Sequence, residues 1–196
     1  MTVRSRSGCN PDMPDTRLKY LAYGSNLHPA RLHARVDSAR LLGTTILSGW
    51  RLAFHKRGAD GSAKCNIVCT DVVTDTVHAA VFSISPHDRP VLDSIEGLGQ
   101  GYLEQVFHLP DYGRVFAYRA DSDFIEETLQ PYDWYHQLVW HGARYHGFPE
   151  TYVRLIASFT AIGDPDPQRR RHNLELVSGL SGSIADRQGK NVSNPL

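Results

Sequence analysis

Seven short runs of β-branched and aromatic residues, each followed by turn chemistry, dominate the chain between residues 18 and 119. They fall at 18–23, 40–47, 51–55, 66–70, 77–84, 102–109 and 114–119, with turns such as Gly58-Ala59-Asp60-Gly61-Ser62 between them. Strands of this kind must pair and bury a face, which puts a sheet at the centre of the fold. Helical segments interrupt them only occasionally. Pro29 opens a short helix that runs to about residue 35, and residues 88–95 form another, with Pro90 in its first turn and Gly97 just past its end. Amphipathic helices are expected at 132–145 and 150–161, the second introduced by Pro149. This order predicts an α+β domain built on a curled sheet.

The domain occupies residues 17–162. Residues 1–16, rich in Ser, Asp and Pro, are expected to form a flexible leader, and residues 163–196, polar again, a flexible tail in which Arg169-Arg170-Arg171 is a solvated run. A hydrophobic fraction of 41% suffices for a sizeable core. The 21 basic and 21 acidic residues cancel, which argues against nucleic acid as the main partner and for a compact ligand held in a pocket. No apolar run is long enough to span a bilayer, and the basic N-terminus has no apolar stretch behind it, so no membrane partner and a cytoplasmic location are expected. Three cysteines are too few for a disulfide framework. Cys65 and Cys69, four apart on one strand, read as buried and inert thiols rather than zinc ligands. His136, His141 and His146 recur every five residues, which spreads them around a helix instead of aligning them on a metal. No metal site and no cofactor motif is present.

Two segments carry chemistry. Tyr23-Gly24-Ser25-Asn26 follows the first strand directly. Gly and Asn tolerate left-handed backbone, so this turn can aim successive N–H groups into one concavity, next to the start of a helix, as a carboxylate or an oxyanion requires. An ordinary strand-to-helix turn has the same composition, so the loop alone does not decide. The second segment is Leu92-Asp93-Ser94-Ile95-Glu96-Gly97. Glu96 at a helix C-terminus meets an unfavourable dipole, Asp93 three residues earlier adds a like charge, and an inward orientation adds desolvation. All three push its carboxyl towards proton exchange near neutral pH, the property of a general acid/base. An exposed helix-end glutamate is the alternative. The Gly97, Gly99 and Gly101 run follows a helix and precedes a strand, the reverse of a dinucleotide fingerprint, and reads as a mobile loop.

Together these pieces resemble the γ-glutamyl cyclotransferase family. Leu21 through Leu27 is similar to its Y-G-S-N substrate loop. Leu92-Asp93-Ser94-Ile95-Glu96-Gly97, with Gly101-Tyr102 just beyond, is similar to the segment bearing its catalytic glutamate. The stretch from Pro131 through Tyr135 to Gly147-Phe148-Pro149 resembles its helical region. The likeness covers about residues 18–159 and implies a small mixed β-barrel of five to seven strands with flanking α-helices. It also implies a reaction in which the free α-amine of a γ-glutamyl group attacks its own side-chain carbonyl, giving 5-oxoproline and a released amine or amino acid. Glu96 would be the general acid/base, and Tyr23, Gly24, Ser25, Asn26, Leu27, Tyr102 and Tyr135 the substrate-binding set. No cofactor is implied, and a homodimer is compatible with the resemblance.

Within the family, glutathione-specific members typically carry Y-G-S-L and γ-glutamylamine enzymes Y-G-T-L, so Ser25 and Asn26 bring this chain nearer the γ-glutamyl amino acid branch. That branch implies small or mid-sized leaving residues and weaker activity on intact glutathione. A sister enzyme that removes a γ-glutamyl cap from a biosynthetic intermediate, and a binding module without turnover, are the two alternatives. The presence of an ionisable Glu96 favours catalysis.

Overall fold

The computed structural model describes residues 17–190, and of residues 181–190 the backbone alone. The expected leader, residues 1–16, lies outside the described residues. The seven expected strands are β1 (Leu18–Ala22), β2 (Arg40–Ser48), β3 (Trp50–Arg57), β4 (Ala63–Cys69), β5 (Thr76–Ile84), β6 (Tyr102–Leu109) and β7 (Gly113–Ala120). The helices are α1 (Pro29–His33), α2 (Arg89–Glu96), α3 (Asp133–Tyr145), α4 (Glu150–Ser158) and α5 (Pro167–Lys190).

The shortest strand is the central one. In the five-stranded sheet, ordered β2-β5-β1-β7-β6, β1 pairs antiparallel with β5, Leu18 opposite Ile84 and Ala22 opposite Ala80. On its other side it runs parallel to β7 through Tyr20 and Phe116. Flanked on both sides, β1 has its backbone groups paired laterally, which permits the full burial of Leu21 and Ala22. β3 and β4 form a separate ribbon lying against β5 and β7. The strands therefore do not close into a hydrogen-bonded ring, and the implied small barrel is an open one: a curled sheet with ribbon and helices around a shared core. Leu21, Leu52, Ile67, Phe82, Phe116, Leu92, Leu138 and Ile156 fill that core.

α2 ends where its sequence says it should. Gly97 adopts φ 73°, a conformation that strains any residue with a Cβ. From there the amides of Gly97 and Leu98 both return to the Asp93 carbonyl at 2.9 Å. The helix is thus cut off immediately after Glu96, and a hydrogen-bonded turn over residues 97–101 leads back into β6.

The segment after Gly163 departs from expectation. Most of the presumed tail is the 24-residue helix α5, packed on α3. Its start signal is local: the Asp166 carboxylate accepts from the amides of Gln168 and Arg169 at 3.0 Å, with Pro167 at the first helical position. Val177 and Leu180, 3% and 9% exposed, and Leu174 dock it on the core. The arginine run is not simply solvated. Arg170 pairs with Asp133 of α3 at 2.6 Å, and Arg169 pairs with the buried Asp164 at 2.6 Å. Asp164 also accepts from Trp134 Nε1 at 2.8 Å, and the Arg169 guanidinium holds its carboxyl down at about 2, against the opposing pull of burial. So sparse an apolar stripe on so polar a segment reads as a tail until its partner surface is known. Among the described residues no helix is long and apolar enough to cross a membrane.

Candidate active site

β1 leaves the middle of the sheet at Tyr23 and turns at once. The Leu27 amide donates to the Gly24 carbonyl at 3.0 Å and closes a four-residue turn. The amides of Ser25 and Asn26 have no protein acceptor among the described residues. Facing this turn is the end of α2. Asn26 Nδ2 donates to Glu96 Oε1 at 2.6 Å, across seventy positions of sequence. Arg35 Nη1 donates to Asn26 Oδ1 at 3.1 Å and stands 3.8 Å from Glu96 Oε1. A guanidinium only donates, so the Asn26 carbonyl oxygen must face Arg35, which leaves the amide nitrogen for the carboxylate.

The walls of the recess are tyrosines. Tyr102 donates to the Cys65 carbonyl at 2.6 Å, while the Cys65 amide donates to the Tyr135 hydroxyl at 3.1 Å. The two peptide groups that flank Cys65 in β4 are thereby each held by a tyrosine. Tyr23 donates to the Tyr118 carbonyl, and Asn26 donates to the Tyr20 hydroxyl at 3.3 Å. Burial pushes the hydroxyls of Tyr20, Tyr23, Tyr102 and Tyr135, and the Cys65 thiol, well up, so all stay protonated at neutral pH. A Cys65 nucleophile has no support in this environment.

Glu96 behaves differently. Its side chain is 18% exposed, and burial lifts its carboxyl above the ordinary glutamate range, while Arg35, the Asn26 amide, Arg31 and Lys56 pull it back. The like charge expected from Asp93 is not among the leading causes. Asp93 is engaged by Arg89 at 2.6 Å and by the Tyr118 hydroxyl at 2.6 Å, so burial is the leading cause of the shift. Among the described residues of the recess, Glu96 is the carboxylate, with burial favouring its protonated form and its cationic neighbours the charged one. Outside it opens a cavity of about 480 Å³ that shares Ser25, Glu96, Tyr102 and Tyr135 with the recess.

Against solved structures, the chain matches one described as a γ-glutamyl cyclotransferase with a TM-score of 0.69 and 20% identity, over 83% of this chain and 99% of that one. The fold is that of γ-glutamyl cyclotransferase. A Homo sapiens protein described as uncharacterised matches with a TM-score of 0.66 and 20% identity, over 83% and 98% of the two chains. YkqA from Bacillus subtilis matches with a TM-score of 0.60 and 17% identity, over 75% of this chain and 56% of that one. No family model matches the sequence, and no curated protein does. At these identities the likeness establishes the γ-glutamyl cyclotransferase fold; the role of the site rests on its own residues.

On that fold, Tyr23, Gly24, Ser25, Asn26, Glu96, Tyr102 and Tyr135 line one recess. Leu27 does not. It is fully buried against α3, where a Cβ at Gly142 would collide with it, and it lines neither the recess nor the outer cavity. Its place in the turn serves packing rather than ligand contact. Gly24 and Asn26 also differ from expectation, for neither has a positive φ. What Gly24 supplies is room: a Cβ there would lie 3.0 Å from Cys65 Cβ. Cys69, expected to be buried like Cys65, is exposed because it sits at the very end of β4. His136 and His146 donate to the carbonyls of Ile156 and Leu27, both at 2.7 Å, and so tie α3 to its neighbours. Among the described residues no group of three or more His, Cys, Asp or Glu side chains is placed to hold a metal.

The residues that sequence reasoning missed are cations and one tyrosine: Arg31, Arg35, Lys56 and Tyr20. Arg31 and Arg35 offered a signal, since a spacing of four just after Pro29 puts both on one side of a short helix.

Proposed function

We propose that the chain is a cyclotransferase that converts γ-glutamyl amino acids to 5-oxoproline and the free amino acid. The observation that carries this reading is the 2.6 Å hydrogen bond from Asn26 to Glu96, which joins the β1 turn to a carboxylate lifted by burial. In its ionised form Glu96 takes a proton from the substrate's α-ammonium. The freed amine attacks the γ-carbonyl of the same molecule and closes a five-membered ring. The Ser25 and Asn26 amides serve the substrate carboxylate or the developing oxyanion. Protonated Glu96 then returns its proton to the leaving nitrogen as the C–N bond breaks, and the second proton shed by the ring nitrogen ends on the released amine as its ammonium. No water is consumed. Nucleophile and electrophile belong to one molecule, so the enzyme's contribution is conformation and proton transfer. A ligand-binding module has no use for a titrating carboxylate at this point.

The test is the product. Incubation with γ-Glu-Ala should release 5-oxoproline and alanine, and N-acetyl-γ-Glu-Ala, which lacks the nucleophile, should be inert. Free glutamate as the main product, or turnover of the acetylated compound, would identify a hydrolase instead.

The Asn26 contact has its own consequence. Its amide favours the charged carboxylate, so Asn26→Ala leaves burial less opposed and the Glu96 pKa rises further. The base must be ionised to act. The acid limb of the kcat/KM profile should therefore move to higher pH in this variant, with the largest loss of activity on the acid side. A profile that drops uniformly without moving would make Asn26 a packing residue only.

A further inference from the structure

The outer cavity is far more cationic than proton transfer at Glu96 requires. Arg31, Arg35, Lys56, Arg57 and Lys64 line it against two carboxylates, Asp60 and Glu96, although the chain as a whole is neutral. Two of these cations have protein partners: Arg35 bonds Asn26 beside Glu96, and Lys64 is held by Asp60 at 2.7 Å. The others do not. Lys56 is 6% exposed, and its ammonium lies over the Tyr102 ring at 4.7 Å with no carboxylate in ion-pair range among the described residues. Arg57 rests on Phe124, 5.5 Å from its centroid. Arg31 is the most exceptional: its Nε is buried with no hydrogen-bond partner among the described residues. Burial and the neighbouring Arg35 push its guanidinium down only to about 10, so it is still charged at neutral pH. Buried charges are normally paired, because desolvation without a partner is costly. A guanidinium left open on a cavity wall is a half-built ion pair.

We propose that the leaving group is an acidic amino acid, so that the ligands of this cavity are γ-glutamyl-glutamate or γ-glutamyl-aspartate, with Arg31 and Lys56 receiving the carboxylates. This rests on the cyclotransferase reading. The γ-glutamyl end brings an ammonium and a carboxylate that cancel, and it belongs in the recess beside Glu96. A neutral leaving residue brings one further carboxylate, which is too little for Arg31 and Lys56, the two desolvated cations without one. A dicarboxylic residue brings two, and the planar Arg31 guanidinium suits one of them as a two-pronged partner. The small or mid-sized leaving residue that the branch implies is thus narrowed by local charge that the neutral total conceals.

The pair γ-Glu-Glu and γ-Glu-Gln differs by one carboxylate and little else. Affinity measured by calorimetry on the full chain carrying Glu96→Gln should favour γ-Glu-Glu by roughly tenfold to a hundredfold, and kcat/KM of the unmodified enzyme should follow. Raising the salt concentration should narrow the gap. Arg31→Met should bring the ratio towards one, whereas Arg31→Lys retains part of it; Lys56→Met is the second variant should Arg31→Met not fold. Equal affinity for the two peptides, or a ratio untouched by Arg31→Met and Lys56→Met, would overturn the proposal. Tighter binding of γ-Glu-Glu with no 5-oxoproline from either peptide would defeat the cyclotransferase reading and leave the charge preference standing.

Discussion

Glu96→Gln is expected to lower 5-oxoproline formation by roughly 10²–10⁴-fold while substrate affinity changes only a few-fold. Glutamine keeps the shape of the side chain, and its carbonyl oxygen can still accept from Asn26. It cannot exchange a proton. No neighbour can take over: burial keeps the surrounding tyrosines and Cys65 protonated, and Asp93 is tied to Arg89 and Tyr118. Single-turnover kinetics, combined with calorimetry on the same variant, separates lost chemistry from lost binding. Turnover within a few-fold of the unmodified enzyme would remove Glu96 from the reaction.

Gly24→Val is expected to abolish measurable activity, a loss of at least about 10²-fold, through geometry. A Cβ at this position already comes within 3.0 Å of Cys65 Cβ, 3.5 Å of its sulfur and 3.7 Å of the Tyr135 hydroxyl. Two further methyl groups have no space, so β4 must move away from the turn. Cys65 is gripped at its carbonyl by Tyr102 and at its amide by Tyr135, so the displacement reaches two walls of the recess together. Overpacking of this kind typically costs about 1–3 kcal/mol. A lower melting temperature with intact secondary structure should accompany the loss of activity, and Gly24→Ala should fall between the two. An unchanged kcat/KM in Gly24→Val would mean that the turn does not shape the site.

The sheet was legible because strands announce themselves locally: composition, period and punctuation agree from β1 to β7. The meeting of Asn26 with Glu96 was legible for a different reason. Each segment carries its own local logic, a turn after a strand and a carboxylate before a helix-ending glycine, and the family resemblance joined the two. The errors lie where a residue's role depends on what packs against it. Gly24 is demanded by β4 crossing close by, not by its own backbone angles. Leu27 faces α3, and Asp93 is occupied by an arginine four residues away. Arg31 and Arg35 went unnoticed because α1 is too short to show periodicity, and their partners come from elsewhere. α5 was hidden by its polarity, since three apolar side chains mean little until α3 lies opposite.

Asp164 gives the far end of the chain a stake in the site. Its carboxylate holds Arg169 on one side and Trp134 on the other, and Trp134 lines the outer cavity. Changes made at the C-terminus for convenience, such as a shortened boundary or a fused purification handle, therefore belong among the variables of an activity assay. A preparation that ends near Gly163 lacks the clamp on the cavity wall, and an inactive sample of that kind would say nothing about Glu96.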